Sequence, residues 1–66
     1  MKVQNRLEEI RWEMRLEKKA LAELIGVRPQ KLSLWLHQKQ QPNNFWMLRV
    51  AQALGRPVED IFYLSE

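Results

Sequence analysis

Only two glycines and three prolines punctuate this 66-residue chain: Gly26, Gly55, Pro29, Pro42 and Pro57. Between them the apolar residues recur at helical spacing, with no sustained strand-like alternation. The chain must therefore fold mainly as short helices broken at those marks. Asn5, with Glu8 three residues on, reads as a capping-box start. Leu7, Ile10 and Met14 then make the apolar stripe of a first helix over roughly 6–15. A second helix, roughly 18–25, carries Leu21, Ala22 and Ile25 and stops at Gly26, which suits the left-handed position after a helix. Pro29 suits the first turn of a third helix, about 29–36, because its missing N–H would be unpaired there anyway. Leu32, Trp35 and Leu36 form its apolar side.

The stretch from His37 to Pro42 is polar and reads as a loop. Asn43 caps a fourth helix whose buried face is Met47, Val50, Ala51 and Leu54, and Gly55 ends it. Pro57 opens a short fifth helix with Glu59 and Asp60 in its first turn, where carboxylates favour the positive end of the dipole. Val3-Gln4 and Phe62-Tyr63-Leu64 are rich in strand formers and can pair as a two-stranded ribbon. The expected fold is all-α, one five-helix domain over residues 1–66, with that strand pair as a possible addition.

With no cysteine and one histidine, His37, the chain offers neither a disulfide framework nor a zinc site. No nucleophile–base spacing, Gly-rich phosphate loop or isolated carboxylate pair suggests an enzyme, and no cofactor is implied. No apolar run approaches the length of a membrane span, and the start alternates charge with hydrophobicity, so a cytoplasmic protein with no membrane partner is expected. His37 reads as a polar helix-end residue.

The charge is informative by its layout. The formal total is only +3, yet residues 24–58 hold Arg28, Lys31, Lys39, Arg49 and Arg56 and no acid at all. Residues 59–66 hold Glu59, Asp60 and Glu66. The acid-free middle either faces a polyanion or is an ordinary solvated surface. Within it, Ala22, four residues before Gly26, is small enough for a third helix to approach the second. Val27, Leu32 and Trp35 follow at plugging positions. That is the spacing of a helix-turn-helix, which a generic helical hairpin would also satisfy.

From Asn5 to Phe62 the chain resembles the Cro and phage-repressor regulators, the xenobiotic-response-element family. The resemblance rests on Asn5-Arg6-Leu7, Ile10-Arg11, Leu16, Leu21-Ala22-Glu23, Gly26-Val27, Gln30, Ser33, Trp35, Lys39, Pro42 and Ala51-Gln52-Ala53-Leu54-Gly55. The closing Val58-Glu59-Asp60-Ile61-Phe62 is similar to the small stand-alone cytolysin-repressor type, whose members are homodimers. The resemblance implies sequence-specific binding of double-stranded DNA at a pseudo-palindromic operator, usually in repression. It implies that the third helix enters the major groove, with Arg28, Gln30, Lys31, Ser33 and Leu34 at base-reading positions. Gln suits adenine, and Lys or Arg suits guanine; Leu34 either meets a thymine methyl or is simply a surface leucine. Phosphate contacts are expected from Lys18 and Lys39, with Gln38, Gln40 and Gln41 either donating to the backbone or solvated. Trp46, Phe62, Tyr63 and Leu64 are the candidates for a dimer interface; Leu54, Ile61 and Phe62 have a core role as the alternative. Trp35 is expected in the core, whereas Trp12 and Trp46 lie off the apolar stripes. Arg49 and Arg56 are read as neutralising helix-terminal carbonyls or as DNA contacts.

Three residues depart from that family. Glu17 stands where Ser or Thr usually caps the second helix. Leu36 stands where many members carry a glutamate that pairs with the arginine at the position of Arg11, so Arg11 needs another partner or solvent. Pro29 removes one base-reading side chain. A protein-interaction module, such as an antitoxin or adaptor on the same fold, is the alternative function. Leu34, Leu36, Trp12 and Trp46 favour it.

Overall fold

The computed structural model describes all 66 residues. In chain order the elements are β1 (Lys2–Asn5), α1 (Leu7–Glu13), α2 (Lys18–Ile25), α3 (Pro29–Leu36), α4 (Asn44–Leu54), α5 (Val58–Ile61) and β2 (Phe62–Ser65). The result is a small, mostly helical domain with one antiparallel two-stranded ribbon that joins the two ends of the chain. Lys2 lies opposite Ser65, Val3 opposite Leu64, Gln4 opposite Tyr63 and Asn5 opposite Phe62. No helix is long and apolar enough to cross a membrane.

Helix ends explain most of the path. α1 is shorter than its periodicity predicts, because Arg15 takes a left-handed conformation, φ 56°, and closes it. The Leu16 N–H donates back to the Arg11 carbonyl at 3.1 Å and the Arg15 N–H to the Trp12 carbonyl at 3.1 Å, the paired bonds of a Schellman motif. α3 ends the same way at Gln38, φ 59°, with Lys39 N–H on the Leu34 carbonyl at 3.0 Å and Gln38 N–H on the Trp35 carbonyl at 3.1 Å. At the start of α1, the Asn5 Oδ1 accepts the Leu7 N–H at 3.0 Å. The capping box does not close, since the Glu8 carboxylate turns to Arg11 and Trp12 instead. Asn43 caps α4 as expected, accepting the Trp46 N–H at 3.1 Å.

The core gathers Leu7 and Ile10 of α1, Leu21, Ala22 and Ile25 of α2, Leu32, Trp35 and Leu36 of α3, Val50, Ile61 and Phe62. Met14 does not belong to it: it lies beyond the last turn of α1 and is exposed. On α4 only Val50 is fully buried, while Met47, Ala51 and Leu54 pack half-buried against the core. Trp35 is completely enclosed, its Nε1 without a hydrogen-bond partner.

Leu36 is buried in the core and offers Arg11 no carboxylate. Arg11 finds its carboxylate on its own helix: Nε donates to Glu8 Oε2 at 3.2 Å, Nη2 bonds Glu8 Oε1, and Nη1 reaches the Leu16 carbonyl at 2.9 Å. The hydrogen bond from Arg11, aided by its charge, holds the Glu8 carboxyl below its ordinary pKa and raises that of Arg11, against the opposing effect of partial burial. With these partners the half-buried Arg11 charge is not left alone.

Candidate nucleic-acid interface

α2 and α3 are separated by a turn that the sequence builds from three residues. Gly26 has φ 89°, a conformation costly for any side chain. A Cβ there would also come within 3.3 Å of the Arg49 Nη2. The same arginine donates from Nε to the Ile25 carbonyl at 3.0 Å, so α4 clamps the C-terminal end of α2. Arg49 thus acts on a helix end, as one of its two readings holds, although the helix is not its own. Arg56 does not: it pairs with Glu13 at 3.0 Å. Val27 N–H donates to the Ala22 carbonyl at 3.0 Å, and buried Ala22 lets α3 pass close. Arg28 is the extended N-cap of α3 and Pro29 its first residue.

This turn sets Arg28, Gln30, Lys31 and Leu34 on the exposed side of α3, with Ser33 half-buried beside them. Neither Arg28 nor Lys31 has a carboxylate partner; the ion pairs of the molecule are Arg11–Glu8 and Arg56–Glu13. His37 caps the end of α3 and is exposed. Four of the five base-reading candidates thus lie on α3, and the fifth, Arg28, is its N-cap. Lys18, the first residue of α2, and Lys39 and Gln40 after α3 are exposed as expected of phosphate contacts. Glu17 forms no side-chain cap at α2 and stands exposed beside Lys18.

Gln38 and Gln41 require a correction. Their amides are committed inside the molecule. Gln38 Oε1 accepts the Asn5 backbone N–H at 3.2 Å while Gln38 Nε2 donates to the Asn5 carbonyl at 2.9 Å. The side chain thereby imitates a neighbouring strand on the edge of β1. Gln41 Oε1 accepts from Asn5 Nδ2 at 2.8 Å, and the same nitrogen donates to the Trp35 carbonyl at 2.9 Å. Gln41 Nε2 in turn donates to Gln38 Oε1 at 2.9 Å. Asn5, only 4% exposed, is the hub of this network. The two glutamines hold the loop after α3 to the ribbon, so their amides are already engaged within the chain although Gln38 is exposed.

The proposed interface residues also divide. Phe62 is 7% exposed and belongs to the core, because the ribbon register puts it opposite Asn5 on the inward face. Tyr63 is half-buried, with its hydroxyl donating to Gln4 Oε1 at 3.3 Å and the Arg6 guanidinium 5.0 Å above its ring. Leu64 is freely exposed, and with Val3, Met47 and Tyr63 it surrounds a shallow apolar groove floored by Phe62. Trp46 lines a different cleft, beside Gly26, Val27, Arg28 and Lys31. The four residues therefore do not make one patch. Sequence reasoning missed the Asn5 hub, the Val3–Met47 part of the groove and the placement of Trp46 against the start of α3. Periodicity carries no signal for any of them, since each depends on contacts distant along the chain.

Neither a protein-family model nor any curated protein matches this chain.

Proposed function

We propose that this domain binds duplex DNA through a helix-turn-helix formed by α2 and α3, working as a homodimeric transcriptional regulator, in the first place a repressor. The observation that carries this reading is the exposed side of α3. Arg28, Gln30 and Lys31 stand there without internal partners, in a segment from residue 24 to 58 that holds five basic residues and no acid. Hydrogen-bonding and cationic side chains at the start of a helix suit the donor and acceptor edges of the major groove. Lys18, Lys39 and Gln40, at either side of α3 in sequence, suit the phosphates.

Self-association fits the apolar groove of Val3, Met47, Tyr63 and Leu64 on a domain of this size, which has a small core to stand on alone. Two copies related by a two-fold would offer their third helices to half-sites about 34 Å apart. Neutralising about three phosphates per subunit would weaken binding about 10³-fold between 50 and 200 mM salt. Equilibrium binding to a pool of random-sequence duplexes, followed by selection of the bound fraction, tests the reading and returns the operator and its spacing. Affinity independent of salt would defeat it.

A second reading, a protein-interaction module, is favoured by large apolar side chains left in solvent: Trp12, Phe45 and Leu48 are 67%, 64% and 64% exposed. Leu36 no longer supports it, being part of the core. A stoichiometric protein partner together with no retention of any duplex at low salt would favour that reading.

A further inference from the structure

α3 carries its outward residues on two tracks. Arg28, the extended N-cap, and Lys31 in the first turn make one, bordering Trp46, whereas Gln30, Ser33 and Leu34 make the other, away from it. Only the first track faces α4. Arg28 and Lys31 line a cleft of about 320 Å³ with Gly26, Val27 and Trp46, and no residue of the second track reaches it.

The cleft has two kinds of wall. Val27 and the Trp46 ring are apolar; Arg28 and Lys31 bring two cations with no carboxylate to neutralise them. The Trp46 ring is held before any ligand arrives. It packs against the enclosed Trp35 ring at 5.9 Å and edge-on to Phe45 at 5.2 Å, and its backbone N–H is fixed by the Asn43 cap. An occupant that satisfies both walls must present an anionic group and an apolar surface within a few ångströms of each other. A base edge in the major groove answers a cation but leaves the tryptophan face idle. A sugar with its attached phosphate answers both.

We propose that this cleft seats one deoxyribose-phosphate unit of duplex DNA, with Arg28 and Lys31 on the phosphate oxygens and the Trp46 ring against the sugar. The assignment rests on the DNA-binding reading above and sharpens it: Gln30, Ser33 and Leu34 are left to read bases, while Arg28 and Lys31 position the backbone. It also gives Trp46 to the DNA rather than to a dimer partner.

The test uses two fluorescently labelled duplexes two helical turns long, one recovered by selection and one with its sequence shuffled. Trp46→Leu weakens both by the same factor, about tenfold, or about 1.4 kcal/mol. Arg28→Ala and Lys31→Ala each lower the salt slope by about one on both duplexes. Because Trp46→Leu also touches the core, a second readout is independent of it: in a Trp12→Phe background, tryptophan emission changes when either duplex binds, and the change disappears when Trp46→Phe is added. Emission unaltered by a bound duplex, or losses confined to the selected sequence, would overturn the assignment while leaving DNA binding intact. If the unaltered chain binds neither duplex at low salt, the DNA-binding reading fails and this assignment with it.

Discussion

Replacing Arg15 by glycine and Gln38 by glycine are the same substitution at the same position of two equivalent helix ends, yet they should shift stability in opposite directions. Both residues occupy the left-handed position that closes a helix, at φ 56° and φ 59°. A side chain there costs about 1–2 kcal/mol, part of which glycine returns as extra freedom of the unfolded chain. Arg15 makes no side-chain hydrogen bond or ion pair and is exposed. Arg15→Gly should therefore gain about 0.5–1 kcal/mol, raising Tm by roughly 2–8 °C for a domain of this size. Gln38→Gly relieves the same strain but removes both bonds to the Asn5 backbone and the one to Gln41. The Asn5 N–H, on a residue 4% exposed, then lacks its partner, at a cost of about 1–3 kcal/mol. The net expectation is a loss of about 1–2 kcal/mol. Thermal unfolding followed by circular dichroism, repeated at several protein concentrations to separate any effect of association, measures both. Equal shifts of the same sign would refute the claim that the Gln38 amide, rather than its backbone conformation, keeps glutamine at that position.

Other outcomes can be checked with similar means. Gly26→Ala forces a Cβ into a left-handed position 3.3 Å from the Arg49 guanidinium, so it should lose about 1–3 kcal/mol in chemical denaturation, and a neutral result would show the turn to be adaptable. The Glu8 carboxyl, held below its ordinary value by Arg11, contributes stability that is present above the unfolded-state pKa and fades as pH falls through the lower folded-state value. Glu8→Gln should accordingly flatten the stability profile below about pH 4.3, and an unchanged acid limb in a pH series of denaturant melts counts against that pair. In binding assays, Gln30→Ala should relax preference at one base pair while Lys39→Ala weakens all duplexes alike. Equal loss for Gln30→Ala on selected and random DNA would remove it from base reading.

The helices around the turn were legible because local chemistry marks them. Gly26 must end α2 and Pro29 can only begin α3, and Asn43 caps α4 with its own side chain. Where no such residue marks an end, the pattern misleads. The apolar spacing of α1 runs on to Met14, but the chain has already turned at Arg15, a residue with no visible preference for that role. Phe62 was open to either core or surface because strand register decides its side, and register was fixed by pairing with a segment at the far end of the chain. Gln38 and Gln41 look like solvated loop residues in sequence. A neutral amide reveals its partner only when the fold brings one, here across a separation of 33 or 36 residues. The lack of carboxylate partners for Arg28 and Lys31 was legible from the acid-free stretch, whereas their separation from Gln30, Ser33 and Leu34 needed the position of α4.

The ribbon that joins β1 to β2 has a kinetic consequence. Its two strands stand at opposite ends of the sequence, so their pairing closes nearly the whole chain into a ring and gains nothing until the intervening helices have shortened the gap. The ribbon is then the last piece to assemble and the first to fray, and its amide protons should exchange ahead of those of α2 and α3. Gln38 and Gln41 fasten the segment after α3 to Asn5, so each fraying of the chain's ends also unbuckles that segment. The N-terminal strand thus latches the end of α3 and the segment after it through Asn5 alone.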